Sequence, residues 1–162
     1  MTSSHRLRRL PALPAAVVAA AVLLAVAGCS RTDARASVAV PSPPSEEAAY
    51  CGALHGQLPE TVTGLDRSDP EPDSDLTAGW GDGAIVLRCG VARPAGMSHD
   101  KADAVEVDGV DWLLEKTGDG GTRLTTTYRK AYVEVTLDRS FTELKPLLDL
   151  AAPVSRTVPK TL

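Results

Sequence analysis

The chain has 162 residues, of which 43% are hydrophobic and 4% aromatic, and its formal net charge is −4 at pH 7. This length suits one domain with additional segments. The acidic balance argues against a nucleic-acid partner, which needs a basic footprint. It also argues against binding to anionic lipid through a cluster of basic residues.

An export signal is predicted over residues 1–28. Three arginines in the first nine residues precede a mainly apolar run that ends at Ala27, and this order of segments is typical of such signals. The next motif, Val26-Ala27-Gly28-Cys29, resembles a bacterial lipobox. That resemblance implies lipid transfer to the Cys29 thiol, cleavage before it and acylation of the new N-terminus. The alternative is an uncleaved anchor helix, since the run is close to the shortest membrane-spanning length.

Cleavage before Cys29 leaves 134 residues, and the three arginines lost lower the net charge from −4 to −7. Two or more acyl chains hold a protein stably at a membrane. We therefore expect an extracytoplasmic protein, anchored to membrane lipid through acylated Cys29. The small, polar and proline-bearing residues 29–45 predict a lipidated cysteine and a flexible spacer. Residues 46–155 are then one domain, and residues 156–162 a C-terminal tail.

Cys51 and Cys89 are the remaining cysteines. A lone pair in an oxidising compartment is usually a disulfide, which requires Cα atoms within about 7 Å of each other. A zinc site is the alternative, because His55 lies four residues after Cys51 on a predicted helix, and His99 is the only other histidine after the signal.

The predicted elements run in the order helix, about five strands, helix. The first helix is predicted to have Ser45 as its N-cap and to end before Pro59. A strand over residues 84–91 turns Cys89 to its buried face. Asp108-Gly109 predicts a two-residue hairpin turn. A second hairpin is predicted to turn at Arg129-Lys130.

The second hairpin pairs Leu124 with Val135, and its opposite face is polar. That face carries Arg123, Thr125, Thr127, Tyr132, Glu134 and Thr136. Such a face is typical of an antiparallel sheet with one side in water. A last helix over residues 141–151 is predicted, with Ser140 and Glu143 as a capping box. The fold class is α+β: a two-layer domain with a mainly antiparallel sheet of about five strands and an N-terminal and a C-terminal helix on one face.

Several motifs occur in a fixed order after Cys51: Trp80-Gly81-Asp82, Leu87-Arg88-Cys89-Gly90, Val107-Asp108-Gly109-Val110-Asp111-Trp112, Tyr128-Arg129 and Tyr132-Val133-Glu134-Val135. Through them residues 46–155 resemble the actinobacterial secreted family catalogued as domain of unknown function 3515. Gly83 stands where that family has proline. The resemblance implies a secreted or lipid-anchored envelope protein, and it carries over no functional residue.

No catalytic or metal-binding motif is recognisable. Ser98-His99-Asp100 has the composition of a hydrolase triad, but such triads converge from distant positions, so we interpret it as a surface loop. The acidic run over residues 69–75 lacks the glycine and the glutamate of an EF-hand loop, and only weak calcium binding is left as an alternative. We expect no catalytic residue, no metal and no cofactor.

The sequence favours a non-catalytic binding or scaffolding module of the cell envelope, whose partner is an envelope protein or a wall component. The alternatives are a secreted enzyme with an unrecognised active site and a small-ligand or weak calcium-binding protein. The candidate partner-binding residues are Tyr132, Arg123, Glu134, Trp80 and Trp112. Core packing is the alternative for both tryptophans.

The lipobox generates the first prediction. Replacing Cys29 with alanine removes the thiol that would accept the diacylglyceryl group, so acyl labelling is lost and an uncleaved, slower-migrating precursor accumulates. Metabolic labelling with a fatty-acid analogue, followed by gel electrophoresis, measures both effects. Unchanged labelling of the Cys29→Ala variant contradicts the prediction.

Overall fold

The computed structural model describes residues 35–99 and 102–161, so Cys29 and the predicted export signal lie outside the described residues. The elements are α1 (Ser45–His55), β1 (Thr61–Val62), β2 (Leu65–Asp66), β3 (Thr77–Trp80), β4 (Ile85–Cys89), β5 (Ala104–Val107), β6 (Val110–Lys116), β7 (Thr122–Thr126), β8 (Val133–Leu137) and α2 (Pro146–Thr157). A short 3₁₀ turn, Ala95–Ser98, lies between β4 and β5. No helix within the described ranges is long and apolar enough to cross a membrane.

The main sheet has six strands in the order β3-β4-β8-β7-β6-β5, and β1 and β2 form a separate two-stranded ribbon. Every pairing between these strands is antiparallel. The predicted α+β class is therefore confirmed, with more strands than the five expected. The strand β3 had no alternating pattern to reveal it, because all four of its residues are buried.

The first predicted hairpin is present and the second is only partly so. Asp108 and Gly109 both have positive φ, 49° and 76°, as a tight two-residue turn requires. The expected pairing of Leu124 with Val135 is also observed. The predicted turn at Arg129-Lys130 is wrong, since the paired strands end at Thr126 and Val133 and the wider loop between them folds Arg129 inward to 4% exposure.

The last helix begins at Pro146 rather than at residue 141. Proline suits the first helical position because the N–H that it lacks would have no partner there. The predicted capping box is wrong, because the Ser140 amide donates to Asp138 instead. The C-terminal segment is packed rather than a free tail, with Val158 fully buried and the Thr161 amide donating to the Tyr128 carbonyl at 2.9 Å.

The two helices and one face of the sheet enclose a single hydrophobic core. Leu54 of α1, Leu150 of α2 and Leu87 of β4 all belong to it. The predicted disulfide between Cys51 and Cys89 is confirmed, with Cα atoms 5.5 Å apart. It joins α1 to β4, and closing a loop of this length restricts the unfolded chain by roughly 4 kcal/mol in the loop-entropy model.

The expected flexible spacer is wrong for its described part, residues 35–44, which dock on the domain. The Val38 amide donates to the Glu71 carbonyl, and the Glu71 amide donates to the Ala36 carbonyl, both at 2.9 Å. Farther along, Pro43 packs against Gly90 so closely that a Cβ on Gly90 would lie 2.5 Å from the proline ring. The N-terminal segment is therefore part of the packed structure.

Docking of this segment generates the second prediction. Gly90 and Gly64 have almost equal φ values, +83° and +82°, but only Gly90 faces another residue within 4 Å. Alanine at either position strains the backbone by about 1–2 kcal/mol. Alanine at Gly90 also collides with Pro43, which costs a further 1–3 kcal/mol, roughly. Chemical denaturation should therefore show Gly90→Ala to be the more destabilised variant, and equal losses would mean that the segment is not packed there.

Candidate functional site

The sheet face opposite the core is partly covered, rather than open to water as expected. The chain leaving β4 must pass to β5 at the far edge of the sheet, and on its way it packs against β6. A Cβ on Gly96 would lie 2.6 Å from the Glu115 carboxylate and 3.3 Å from Leu113. Leu113 and Thr125, neighbours on this face, are 3% and 0% exposed. Leu113 is apolar although its neighbour Thr125 on this face is polar. This was the feature of the sequence that could have indicated a covered face.

A cavity of about 430 Å³ lies beside the chain segment between β4 and β5, which we call the covering loop. The charged and aromatic residues that line it are Arg93, His99, Asp111, Tyr128, Arg129 and Tyr132. They come from the loop after β4, from β6 and from the loop between β7 and β8. Tyr128 stands at the cavity with 72% of its surface exposed.

A second cavity of about 410 Å³ lies next to the first, and Arg93 and Tyr132 line both. Its other walls are the docked segment at residues 41–44, Glu47 of α1, Arg88 of β4 and residues 90–92. We call the two cavities together the groove. Of the five predicted partner-binding residues, Tyr132 is the one that the structure places in it.

Arg129 is the most unusual side chain of the groove. It is 4% exposed, and its guanidinium donates to the Val158 carbonyl at 2.7 Å and to the Gly109 carbonyl at 3.2 Å. Burial lowers the pKa of this guanidinium, and the nearby Asp111 carboxylate opposes that shift. Among the described residues no carboxylate forms an ion pair with it.

Arg123 and Glu134, two predicted partner-binding residues, interact with each other. Glu134 lies between two arginines on neighbouring strands, 3.7 Å from Arg88 Nε and 3.4 Å from Arg123 Nε. The Glu134 side chain is only 13% exposed, and Arg88 Nε is buried with no hydrogen bond. The three side chains form an ion-pair network on this face, in which the Arg123 side chain remains 46% exposed and Arg88 also lines the second cavity.

The two tryptophans lie in the core, so their assignment to a partner surface is wrong. Trp80 and Trp112 are both 0% exposed. Trp80 Nε1 donates to the Pro59 carbonyl at 3.0 Å, and the Arg67 guanidinium lies 5.7 Å from the centre of its ring system. The alternative of core packing is the correct one for both residues.

The residues considered for metal or nucleophilic chemistry have other partners. The disulfide uses both cysteines of the zinc alternative, and His55 Nε2 lies 2.8 Å from an Arg67 nitrogen. Within residues 35–99 and 102–161 no cluster of potential ligands could hold a metal ion. Ser98 Oγ accepts a hydrogen bond from Arg93 at 2.8 Å, while Asp100 of the supposed triad lies outside the described residues.

Sequence reasoning missed Arg93, Tyr128 and Arg129 as groove residues. Tyr128-Arg129 was visible as a motif, but it was interpreted as part of a tight turn. The positive φ of Tyr128, 53°, and the inward path of Arg129 follow from contacts with the C-terminal segment. Arg93 carried no local signal.

Comparison with known proteins gives one match. The family model described as "Protein of unknown function (DUF3515)" matches residues 12–162. No curated protein and no solved structure matches the chain. The match agrees with the resemblance seen in the sequence motifs, and it assigns no role to any groove residue.

The charge triad generates the third prediction. Glu134→Ala removes a carboxylate whose side chain is 13% exposed and leaves Arg88 Nε, which has no hydrogen bond, without its counter-charge. It should therefore lower the free energy of unfolding by about 1–3 kcal/mol. Glu143→Ala is the matched control, because Glu143 pairs with Lys145 at 2.6 Å on the open surface. Solvent screens an exposed pair of this kind, so its loss should change stability little. Equal losses of stability in a denaturant titration would contradict the buried role of Glu134.

Proposed function

We propose that this chain, which belongs to the DUF3515 family, is an extracytoplasmic lipoprotein whose domain binds a partner at the groove. The observation that carries the proposal is the pair of adjoining cavities bordered by exposed Tyr128. Small-molecule and partner sites are usually concave and combine aromatic surface with a few polar groups. The groove has this composition, with Tyr132 between its two halves.

The compartment is supported by the two cysteines of the domain. Disulfides persist in oxidising, extracytoplasmic compartments and are rare in the cytosol, and Cys51 and Cys89 form one. The lipobox-like motif ending at Cys29 supports anchoring in the same compartment. In this proposal the mature chain begins at the acylated cysteine.

The docked segment limits how far the domain can stand from the lipid. Ala36, whose carbonyl accepts a hydrogen bond from Glu71, is seven residues after Cys29, and seven extended residues span at most about 25 Å. The segment then passes from Gly83, which Ala36 contacts, to Gly90, which Pro43 contacts.

Gly83 and Gly90 flank the two ends of β4, which are roughly 20 Å apart at the usual rise per strand residue. The tether therefore enters near the Gly83 end, and the groove lies at the Gly90 end. Because the tether and the groove lie at opposite ends of β4, the tether does not block the access of a partner to the groove.

The hydrogen bonds around the groove support binding rather than nucleophilic chemistry. Arg129 donates to backbone carbonyls, Arg93 donates to Ser98 and to the Met97 carbonyl, and Thr127 Oγ1 lies 3.4 Å from the Asp111 carbonyl. A hydroxyl nucleophile would instead be hydrogen-bonded to a general base. The arrangement fixes the walls of a recess, which is what a binding site requires.

The groove generates the fourth prediction. A photoreactive benzoylphenylalanine at Tyr128 should crosslink the native partner in intact cells, because this position borders the groove and is 72% exposed. The same probe at Leu148, which is 55% exposed on α2 and outside the groove, is the matched control. Crosslinked species are detected by a mass shift and identified by mass spectrometry.

A second substitution links any crosslink to the groove. Tyr132→Ala should reduce the yield at position 128 while changing the melting temperature by no more than about 4–8 °C. Equal yields at positions 128 and 148, or a yield unchanged by Tyr132→Ala, would contradict binding at the groove.

A further inference from the structure

We propose that the cavity beside Tyr128 binds the anionic group, a carboxylate or a phosphate ester, of a small organic ligand, and that Arg129 and Arg93 hold that group. This inference deepens the proposed function, because it rests on the groove being a binding site and names the class of ligand. The two anions share one recognition chemistry, since the planar guanidinium fork of arginine matches both.

Arg129 supplies a positive charge that no carboxylate within residues 35–99 and 102–161 approaches to ion-pair distance. The guanidinium has five N–H groups, and its two hydrogen bonds go to the neutral carbonyls of Val158 and Gly109. A buried charge without a counter-charge is costly, so such charges are normally paired. An anion in the cavity that Arg129 lines would provide the missing partner.

Arg93 stands at the same cavity on the covering loop. Its guanidinium donates to Ser98 Oγ at 2.8 Å and to the Met97 carbonyl at 3.2 Å. These bonds hold the side chain against the 3₁₀ turn, so less conformational entropy is lost when it meets a ligand. Arg93 is itself exposed, which places a second cation where a ligand enters.

The charge of the cavity is opposite to that of the chain. Among the described residues, two arginines and one carboxylate, that of Asp111, line it, which gives an excess of positive side chains, whereas the whole chain carries −4. A recess of one sign concentrates ligands of the other sign. Asp111 opposes any ligand carboxylate placed beside it, so the anionic group is expected on the arginine side.

The remaining walls indicate an amphipathic ligand. Tyr128, Tyr132 and Leu113 line the cavity together with its charged residues, and its volume of about 430 Å³ falls in the usual range for small-molecule sites. Aromatic rings provide flat apolar contact area. We therefore expect a ligand with one anionic end and an apolar or aromatic body.

The test uses the full-length protein in a non-ionic detergent and four probes of similar size: phenyl phosphate, benzoate, benzyl alcohol and benzylammonium. Isothermal titration calorimetry and NMR shifts of the tyrosine rings measure binding. At least one anion should bind about tenfold more tightly than benzyl alcohol, the factor expected for one added hydrogen bond to a charged group. Benzylammonium should bind more weakly than benzyl alcohol. Comparison of the affinities for phenyl phosphate and benzoate shows whether phosphate or carboxylate is preferred.

Arg93→Gln is the decisive variant, because Arg129 also supports the backbone at Val158 and Gly109. It should weaken binding of the preferred anion about tenfold and leave benzyl alcohol binding unchanged. Lys130→Gln removes one exposed positive charge next to Arg129 in the chain, outside the groove, and should leave anion binding unchanged. Arg129→Lys keeps the positive charge but loses the planar guanidinium fork. It should weaken the binding of the anion more than the binding of benzyl alcohol.

Three results would overturn the assignment of an anionic ligand: benzyl alcohol binding as tightly as both anions, equal effects of Arg93→Gln and Lys130→Gln, or no binding of any probe. If crosslinking from position 128 persists in these cases, the ligand class alone is wrong and the groove remains a binding site. Anion binding without any Tyr132-dependent crosslink would instead overturn the partner proposed for the groove and leave the anion site standing.

Discussion

The covalent bond between Cys51 and Cys89 is the constraint on which much of the arrangement depends. Helix α1 is intrinsically weak, since it contains Gly52 and has no side-chain hydrogen bond at its N-terminus. The bridge ties this helix to β4 next to the end of that strand. Leu54, which is fully buried, then completes the contact with the core.

The same bond positions one wall of the groove. The docked segment leads directly into α1, and Gly90 directly follows Cys89. Once the helix and the strand are joined, Pro43 is brought against Gly90, and only a residue without a side chain allows that approach at a φ of +83°. A structural bridge thus also shapes a surface that could receive a ligand.

Arg129 makes a second connection between distant segments, at the other end of the groove. Its two carbonyl bonds connect the C-terminal segment at Val158 with the turn at Gly109, while the Lys130 amide donates to the Pro159 carbonyl at 2.9 Å. A neutral side chain could form one of these bonds, but only arginine offers a fork that reaches two carbonyls and still carries a charge. If the anion proposal holds, the same residue serves both the structure and the recognition of a ligand.

The sequence by itself determined what depends on local pattern and on compartment chemistry. The hairpin at Asp108-Gly109 follows from a turn that needs positive φ, and the pairing of Leu124 with Val135 follows from alternation. The bridge between Cys51 and Cys89 was predicted from a lone cysteine pair in a chain expected to be exported. The family, too, was recognisable from ordered motifs.

Only the tertiary structure decided the features that depend on contacts between distant segments. Three features have no local periodicity because they depend on contacts with residues far away in the chain. The loop over Leu113 makes such contacts by packing, whereas the inward turn of Arg129 and the docking of residues 35–44 make them by hydrogen bonds. The start of α2 at Pro146 was missed since proline at a first helical position resembles a helix breaker. The groove is built from these long-range contacts. Tyr132 was predicted as a contact residue from the composition of its sheet face, whereas Arg93 and Arg129 became visible as groove residues only in the folded chain.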